Sequence, residues 1–341
     1  MPIKLANLTI PHVIDRLAHL LAPTAAMPHS RFYTLIGAIF VLISAVLFAI
    51  KAILIKYSYG IDPNLDGVTL LALRMASALP FFLLMAWFAP RVSRTITRHD
   101  WALLLLAGLV GYYLASILDF VGLEYISASL ERIILFLYPT LTVLMTAAIY
   151  RQPITGRTWL AIVLSYGGTL VVMLGEGWQA LIGDGVLWGS ALVFAGAVAY
   201  ASYLVMTPTL IQRFGSWRFT GLAMSVACVA SIVHFVWVTP APMTLLQGFS
   251  DQVIWLGVAL GFFSTVLPAT LLMQGIQRIG AAQAALISAG GPVLTILLAV
   301  ALLGEQLNLI QWLGCALNII GVLMITLKPK TTKIVESPNL T

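Results

Sequence analysis

The chain has 341 residues, of which 60% are hydrophobic and only 9% charged, with a formal net charge of +6. Ordinary globular domains carry about 25% charged residues, so this composition excludes a water-soluble fold, and its repeated apolar runs suit a bilayer core about 30 Å thick. The basic residues are spread over many short loops without an aromatic-interleaved patch, which excludes a nucleic-acid binder and leaves membrane topology as their explanation.

Residues 1–33 read as a cytoplasmic tail. Pro11, Pro23 and Pro28 break the segment, no apolar core of signal-peptide length is present, and Val13 to Leu21 is patterned as a short amphipathic surface helix. Ten spans follow, at roughly 34–57, 67–89, 101–121, 127–149, 158–175, 185–207, 219–239, 252–273, 281–303 and 308–327. Prolines punctuate them: Pro63 after the first, Pro90 after the second, Pro153 after the fourth, Pro240 and Pro242 after the seventh. A second tail covers 328–341. Cys228 and Cys315 lie inside apolar runs and read as small hydrophobes.

Loop charge sets the orientation, because Lys and Arg stay on the cytoplasmic side. Lys4, Arg16, Arg31, Arg91, Arg94, Arg98, Arg151, Arg157, Arg213, Arg218, Arg278, Lys328, Lys330 and Lys333 fall on one side. Asp62, Asp66, Glu124, Glu176, Asp184, Asp251 and Glu305 fall on the other. The reading is a bacterial cytoplasmic (inner) membrane protein with both termini cytoplasmic.

The spans repeat. Gly122, Ile126, Ala128, Pro139, Trp159, Leu160 and Gly168 recur as Gly275, Ile279, Ala281, Pro292, Trp312, Leu313 and Gly321, at a constant offset of 153 (275 − 122). Five spans per half put equivalent loops on opposite sides, so the second copy is inverted. The fold class expected is an all-α polytopic membrane protein of ten helices in two inverted five-helix repeats, 34–175 and 176–327. Inverted repeats are the usual build of secondary transporters, with the substrate site near the bilayer midplane.

At these residues the chain resembles the EamA-type family of the drug/metabolite transporter superfamily. The resemblance is carried by Ile279-Gly280-Ala281-Ala282, Pro292, Leu303-Gly304-Glu305, Gln311-Trp312-Leu313-Gly314 and Gly321. In the first half it is carried by Ile126-Ser127-Ala128-Ser129, Pro139, Trp159-Leu160 and Gly167-Gly168. The first half departs by having Tyr150-Arg151-Gln152 where Leu-Gly-Glu is common. The resemblance implies a central cavity between the repeats and export of amino acids or other small metabolites; it does not fix the substrate.

Charges inside a bilayer are costly and therefore mark candidate sites. Lys51, Arg74, Asp119, Glu131 and Arg132 lie at comparable depth, all in the first repeat, three positive and two negative. Asp119, Glu131 and Arg132 correspond to apolar Leu272, Ala284 and Ala285 in the second repeat. Either the excess positive charge receives a substrate anion while Glu131 or Asp119 takes an amine or a proton, or Arg74 and Arg132 are neutralised by Asp119 and Glu131 as helix braces. Adjacent Glu131 and Arg132 point about 100° apart on a helix, so both cannot face one cavity centrally. Lys56 reads as a snorkelling anchor.

Tyr112, Tyr113, Tyr138, Tyr200, Tyr203, Gln283 and Ser288 are further candidates for the cavity lining, against ordinary packing. Pro139 and Pro292, at matching mid-span positions, bend their helices and free backbone carbonyls, which suits gates. Gly257 and Gly261 form a GxxxG that serves either internal packing or a weak homodimer, so the chain is read as a monomer or weak homodimer. His234 stands alone in its span and reads as a satisfied histidine.

The sequence lacks HExxH, GxSxG and P-loop motifs and any metal-ligand spacing, so neither an enzyme, a cofactor nor a metal is expected. The expectation is a secondary transporter, an exporter of small polar metabolites such as amino acids, with protons as a candidate coupling ion. A lipid or lipid-precursor flippase is the alternative, because a cationic cluster also suits a phosphate headgroup.

Overall fold

The computed structural model describes residues 31–62, 64–90, 96–149, 151, 153–175, 185–279, 284, 287–288 and 291–326. Among the described residues all regular structure is helical. The helices are α1 (Arg31–Ile61), α2 (Gly67–Phe88), α3 (Arg98–Tyr125), α4 (Ala128–Ile149), α5 (Gly156–Gly175), α6 (Val186–Phe214), α7 (Ser216–Val238), α8 (Asp251–Gly261 continuing through Leu267–Ile279), α9 (Gly291–Leu303) and α10 (Leu309–Thr326). A short surface helix, Pro242–Gly248, joins α7 to α8. Among the described residues eight helices are long and apolar enough to cross a membrane, and the shorter apolar α9 and α10 bring that count to ten.

Helix starts follow local chemistry. Asp66 accepts the Thr69 amide at 2.8 Å ahead of α2, Thr97 and Asp100 form a reciprocal capping box ahead of α3, and Ser127 accepts the Leu130 amide at 3.1 Å ahead of α4. Gly215, at φ 77°, is the single residue between α6 and α7, a left-handed joint that favours glycine.

The pairing of helices obeys the repeat. α2 packs on α7 and α5 on α10, while α1 on α8 is answered by α6 on α3, and α1 on α9 by α6 on α4. These principal pairings map onto one another when each helix is exchanged for its counterpart five along. One pair separated by the repeat offset meets directly: Asn318 Nδ2 donates to the Ser165 carbonyl at 3.0 Å. Residues related by a two-fold rotation touch only on its axis, so the axis passes close to this pair.

The hand of the relation is visible in α5 and α10. A Cβ on Gly168 would collide with Gly314 and Asn318; a Cβ on Gly321 would collide with Ala161 and Ser165, the equivalents of those two. Late α5 meets early α10 and the reverse, so the helices run antiparallel and the axis lies across them. The second repeat is inverted. Gly122 meets Gly189 and Val193, and Gly275 meets Gly37 and Val41, in the same geometry. This fixes the offset between α1 and α6 at 152 (189 − 37).

Two helix defects shape the middle of the bundle. In α3, residues Ala107–Leu114 are π-helical, and in α8 residues Phe262–Val266 are; adding 153 to the first range gives 260–267. The defect therefore belongs to the shared scaffold, and such bulges concentrate at functional sites. The expected single span 127–149 is in fact two helices, Ala128–Leu135 and Tyr138–Ile149, broken at Phe136–Leu137. Pro139 has no amide to give to the Leu135 carbonyl and its ring crowds that group. Thr140 Oγ1 then donates to the Leu137 carbonyl at 2.7 Å and Thr142 Oγ1 to that of Tyr138 at 2.7 Å. Pro292 is likewise the second residue of α9. Gly257 and Gly261 pack against Leu73 and Ser77 of α2, so the GxxxG face is filled within the chain.

Candidate substrate site

The first half of α4 carries Glu131 and Arg132 into the bundle beside the last turns of α3 and the C-terminal half of α1. Lys51 Nζ lies 2.5 Å from Asp119 Oδ2 and 3.7 Å from Glu131 Oε1. Arg132 Nε lies 3.8 Å from Glu131 Oε2, and Arg132 Nη2 donates to the Phe48 carbonyl at 3.0 Å. Three helices thus contribute a tetrad of two cations and two carboxylates with zero net charge. Asp119 is 3% exposed and Glu131 0%. Buried charges persist where they are paired, so the four groups sit together as a unit.

The tetrad is not saturated. Asp119 Oδ1, both Glu131 oxygens, Ser129 Oγ and Arg132 Nε are buried and have no hydrogen-bond partner among the described residues. The contacts of Glu131 with Lys51 and Arg132 are electrostatic, at distances beyond a hydrogen bond.

Arg74 stands apart. Its Nε donates to Thr265 Oγ1 at 2.7 Å, in the π-helical part of α8, and its guanidinium lies 5.1 Å from the centre of the Phe120 ring. Arg74 is 7% exposed, and no carboxylate of the described residues lies within ion-pair distance of it. Its terminal amino groups make no hydrogen bond there, yet neither is fully enclosed. The structure pairs Asp119 with Lys51 where a brace through Arg74 had been one of two expectations.

The aromatic candidates divide. Tyr138 meets Tyr200 at 5.1 Å, Tyr200 stacks on Tyr203 at 5.9 Å, and Tyr203 stacks on Phe219 at 5.8 Å. Tyr112 joins this layer through a 3.1 Å contact between its hydroxyl and that of Tyr203. The Tyr203 ring lies where Gly111 leaves room in the π-helical stretch. The layer sits beneath the tetrad, on the side of the basic loops. Tyr113 instead faces His234 at 5.8 Å, on the other side of α3. Ser288 is a half-buried helical residue. Gln283, Gly280, Gln152 and Gly290, the stretch 13–21 and the tail from 328 lie outside the described residues.

At the acidic end, above the tetrad, Glu305 of the Leu-Gly-Glu motif accepts two consecutive amides of α4: Ala128 to Oε1 at 2.7 Å and Ser129 to Oε2 at 3.2 Å. Gly304, at φ 69°, makes the turn that delivers it. Glu124 does the same for α2 through the Gly67 amide at 2.5 Å, and Lys56 Nζ donates to the Leu123 carbonyl at 2.9 Å. At the basic end Arg213 pairs with Asp100 at 3.6 Å, and Arg278 lies over the rings of Tyr33 and Phe40. Sequence reasoning missed Thr265, Phe120 and the capping role of Glu305. Only the last had a signal, its place in the motif.

Comparison with known proteins agrees with this architecture. The model of the EamA-like transporter family matches residues 35–174 and 187–327. The chain is 33% identical over 280 residues to the uncharacterized transporter YcbK of Bacillus subtilis (strain 168), covering 82% of this chain and 89% of that one. It is 26% identical to the uncharacterized transporter YyaM of the same organism, covering 79% and 87%. A solved structure described as "Crystal structure of protein" superposes with a TM-score of 0.58 at 20% identity, covering 88% of this chain and 98% of its own, and shows the fold alone. With two inverted repeats on the page and both matched by one family, this multi-pass membrane protein belongs to the EamA-like transporter family.

Proposed function

We propose that the protein is a secondary transporter that exports small polar metabolites, amino acids among them, by alternating access between repeats 34–175 and 176–327. The observation that carries this is the unsaturated tetrad of Lys51, Asp119, Glu131 and Arg132, enclosed mid-bundle on a duplicated scaffold. A brace needs no spare acceptors; a site that binds and releases a polar solute does. The break ahead of Pro139, with Pro292 at the matching place as the second residue of α9, supports α4 and α9 as the moving gates. Loop charge supports an inner-membrane orientation with both termini cytoplasmic, so that the Glu305 cap lies on the external side.

Reconstituted proteoliposomes test the reading. Glu131→Gln and Arg74→Gln are each expected to abolish solute efflux while retaining most of the wild-type melting temperature. Equal loss of folding in both would mark the charges as structural braces. Stabilisation by phospholipid headgroups in place of metabolites would transfer the assignment to a flippase.

A further inference from the structure

We infer that the structure holds the inward-facing state. The threonine-lined cavity between the second half of α4 and the start of α5 is the mouth by which solute enters from the basic, cytoplasmic end, and Glu305 is the clasp that keeps the acidic end shut. The inference rests on the transport reading above for what passes through the mouth, and on loop charge for which end is cytoplasmic. The asymmetry between the two ends stands without either.

The two ends are built alike. Arg151, at φ 50°, takes the left-handed turn that Gly304 takes 153 residues later (304 − 151) at φ 69°. Beyond each turn the next helix is capped at matching positions. The Thr158 amide donates to Thr155 Oγ1 at 3.4 Å, and the Gln311 amide donates to Asn308 Oδ1 at 2.9 Å. By the same offset Thr142, Val143 and Thr146 of α4 correspond to Thr295, Ile296 and Ala299 of α9.

Their surroundings are opposite. Thr295, Ile296 and Ala299 are 0%, 1% and 0% exposed. The first half of α4 lies against this part of α9, with Ile296 in one buried cluster with Ile126, Leu130 and Ile133, and Glu305 fastens that half through the Ala128 and Ser129 amides. Thr142, Val143 and Thr146 are instead half-buried and, with Thr155 and Thr158, line a cavity of about 250 Å³. Inverted repeats alternate by exchanging shapes, so one sealed end and one open end are what either state shows. The exchanged state carries the cavity to Thr295, Ile296 and Ala299, with Glu305 released from α4.

The cavity wall suits a polar solute that is shedding water. Thr142 Oγ1 gives its proton to the Tyr138 carbonyl at 2.7 Å and keeps its lone pairs as acceptors. The Thr155 and Thr158 hydroxyls, 3.0 Å apart, use one proton between them and keep the other to donate. The wall thus offers both kinds of hydrogen bond without a fixed charge that would hold the solute back.

The full-length protein in native membranes tests the assignment, with the buried Cys228 and Cys315 replaced by alanine. Thr146→Cys and Ala299→Cys then report the two ends through a membrane-impermeant maleimide applied to inside-out and right-side-out vesicles. Thr146→Cys is expected to react from the cytoplasmic face at least about tenfold faster than Ala299→Cys reacts from the external face, since a minor state holds about 10% of molecules or fewer. Adding Glu305→Ala is expected to speed Ala299→Cys about fivefold or more and to slow Thr146→Cys, the shift that one lost helix cap supplies. Mere loosening of the fold would speed both. Equal rates at the two ends, or reaction of Thr146→Cys from the external face alone, overturn the mouth. A rise at both ends on adding Glu305→Ala, or no change at either, overturns the clasp. Thr142→Cys and Thr295→Cys repeat the comparison if Ala299→Cys does not fold.

Efflux from proteoliposomes separates the two possible failures. Labelling without asymmetry, in a protein that still carries solute, overturns the inward-facing state and leaves carriage standing. Asymmetric labelling that answers to Glu305→Ala, in a protein that carries nothing, overturns carriage and leaves the exchange of ends standing.

Discussion

The contact of α5 with α10 and the neighbourhood of α4 and α9 obey opposite rules. Along α5 and α10 the repeats are interchangeable: Gly168 meets Gly314 and Asn318 as Gly321 meets Ala161 and Ser165. Around α4 and α9 they are not. Glu131 corresponds to Ala284, a buried methyl, and Asp119 corresponds to Leu272. With the 152-residue register of α1 and α6, Lys51 corresponds to Tyr203 (51 + 152), so one scaffold position carries an ammonium in one repeat and a phenol in the other. Where backbones cross closely, packing permits one solution and both copies keep it. Where side chains face the middle, packing leaves freedom, and that freedom has been used for chemistry in one copy only.

That contrast can be broken by mutation, and the largest effect belongs to the symmetric side. Gly168→Val and Gly321→Val each place a side chain where the partner backbone lies, and each is expected to cost about 3 kcal/mol or more, since forcing extra methyls into a packed contact already costs about 1–3. Equal losses of melting temperature for the two would sharpen the comparison, and a large difference would break it. Glu305→Ala removes a two-amide cap and is expected to cost about 1–2 kcal/mol, the upper range for a helix cap. It is also expected to widen the distance between the start of α4 and the end of α9, measured between spin labels at the acidic end. Asn318→Ala removes hydrogen bonds to the Ser165 carbonyl and to Thr169 Oγ1 and is expected to cost about 0.6–1.7 kcal/mol, the range for polar contacts between membrane helices. Arg213→Ala loses an exposed partner of Asp100 and is expected to change the melting temperature least, by about 0–1 kcal/mol of stability.

The symmetric part of the molecule was the legible part. Gly122, Gly168, Gly275 and Gly321 repeat because a side chain at any of them would strike a neighbouring helix, and a constraint on the backbone writes itself into the sequence at fixed spacing. The membership of the charged cluster was legible for a related reason, since a bilayer makes each charge conspicuous. Its wiring was not. Lys51 takes Asp119, and Arg74 takes a hydroxyl and a ring, because of rotations about helix axes that spacing alone does not reveal. Tyr112 and Tyr113 show the same limit: adjacent in sequence, they leave α3 on different sides, one into the tyrosine layer and one towards His234. The π-helical stretches in α3 and α8 had no compositional mark at all. The Glu131–Arg132 contact across 3.8 Å also narrows the expectation that the two would diverge, since long side chains bend back over a 100° turn.

The meeting of Ser165 with Asn318 has a kinetic corollary for any carrier built this way. When the two repeats trade shapes, a residue on the rotation axis finds the same surroundings before and after. A substitution there leaves the balance between the two end states untouched and alters only the height of the pass between them. Off the axis, as at Glu305, a substitution tilts the balance itself. In such a carrier turnover and resting preference are governed by separate sets of residues, and equivalent residues that touch, as Ser165 and Asn318 do, belong to the first.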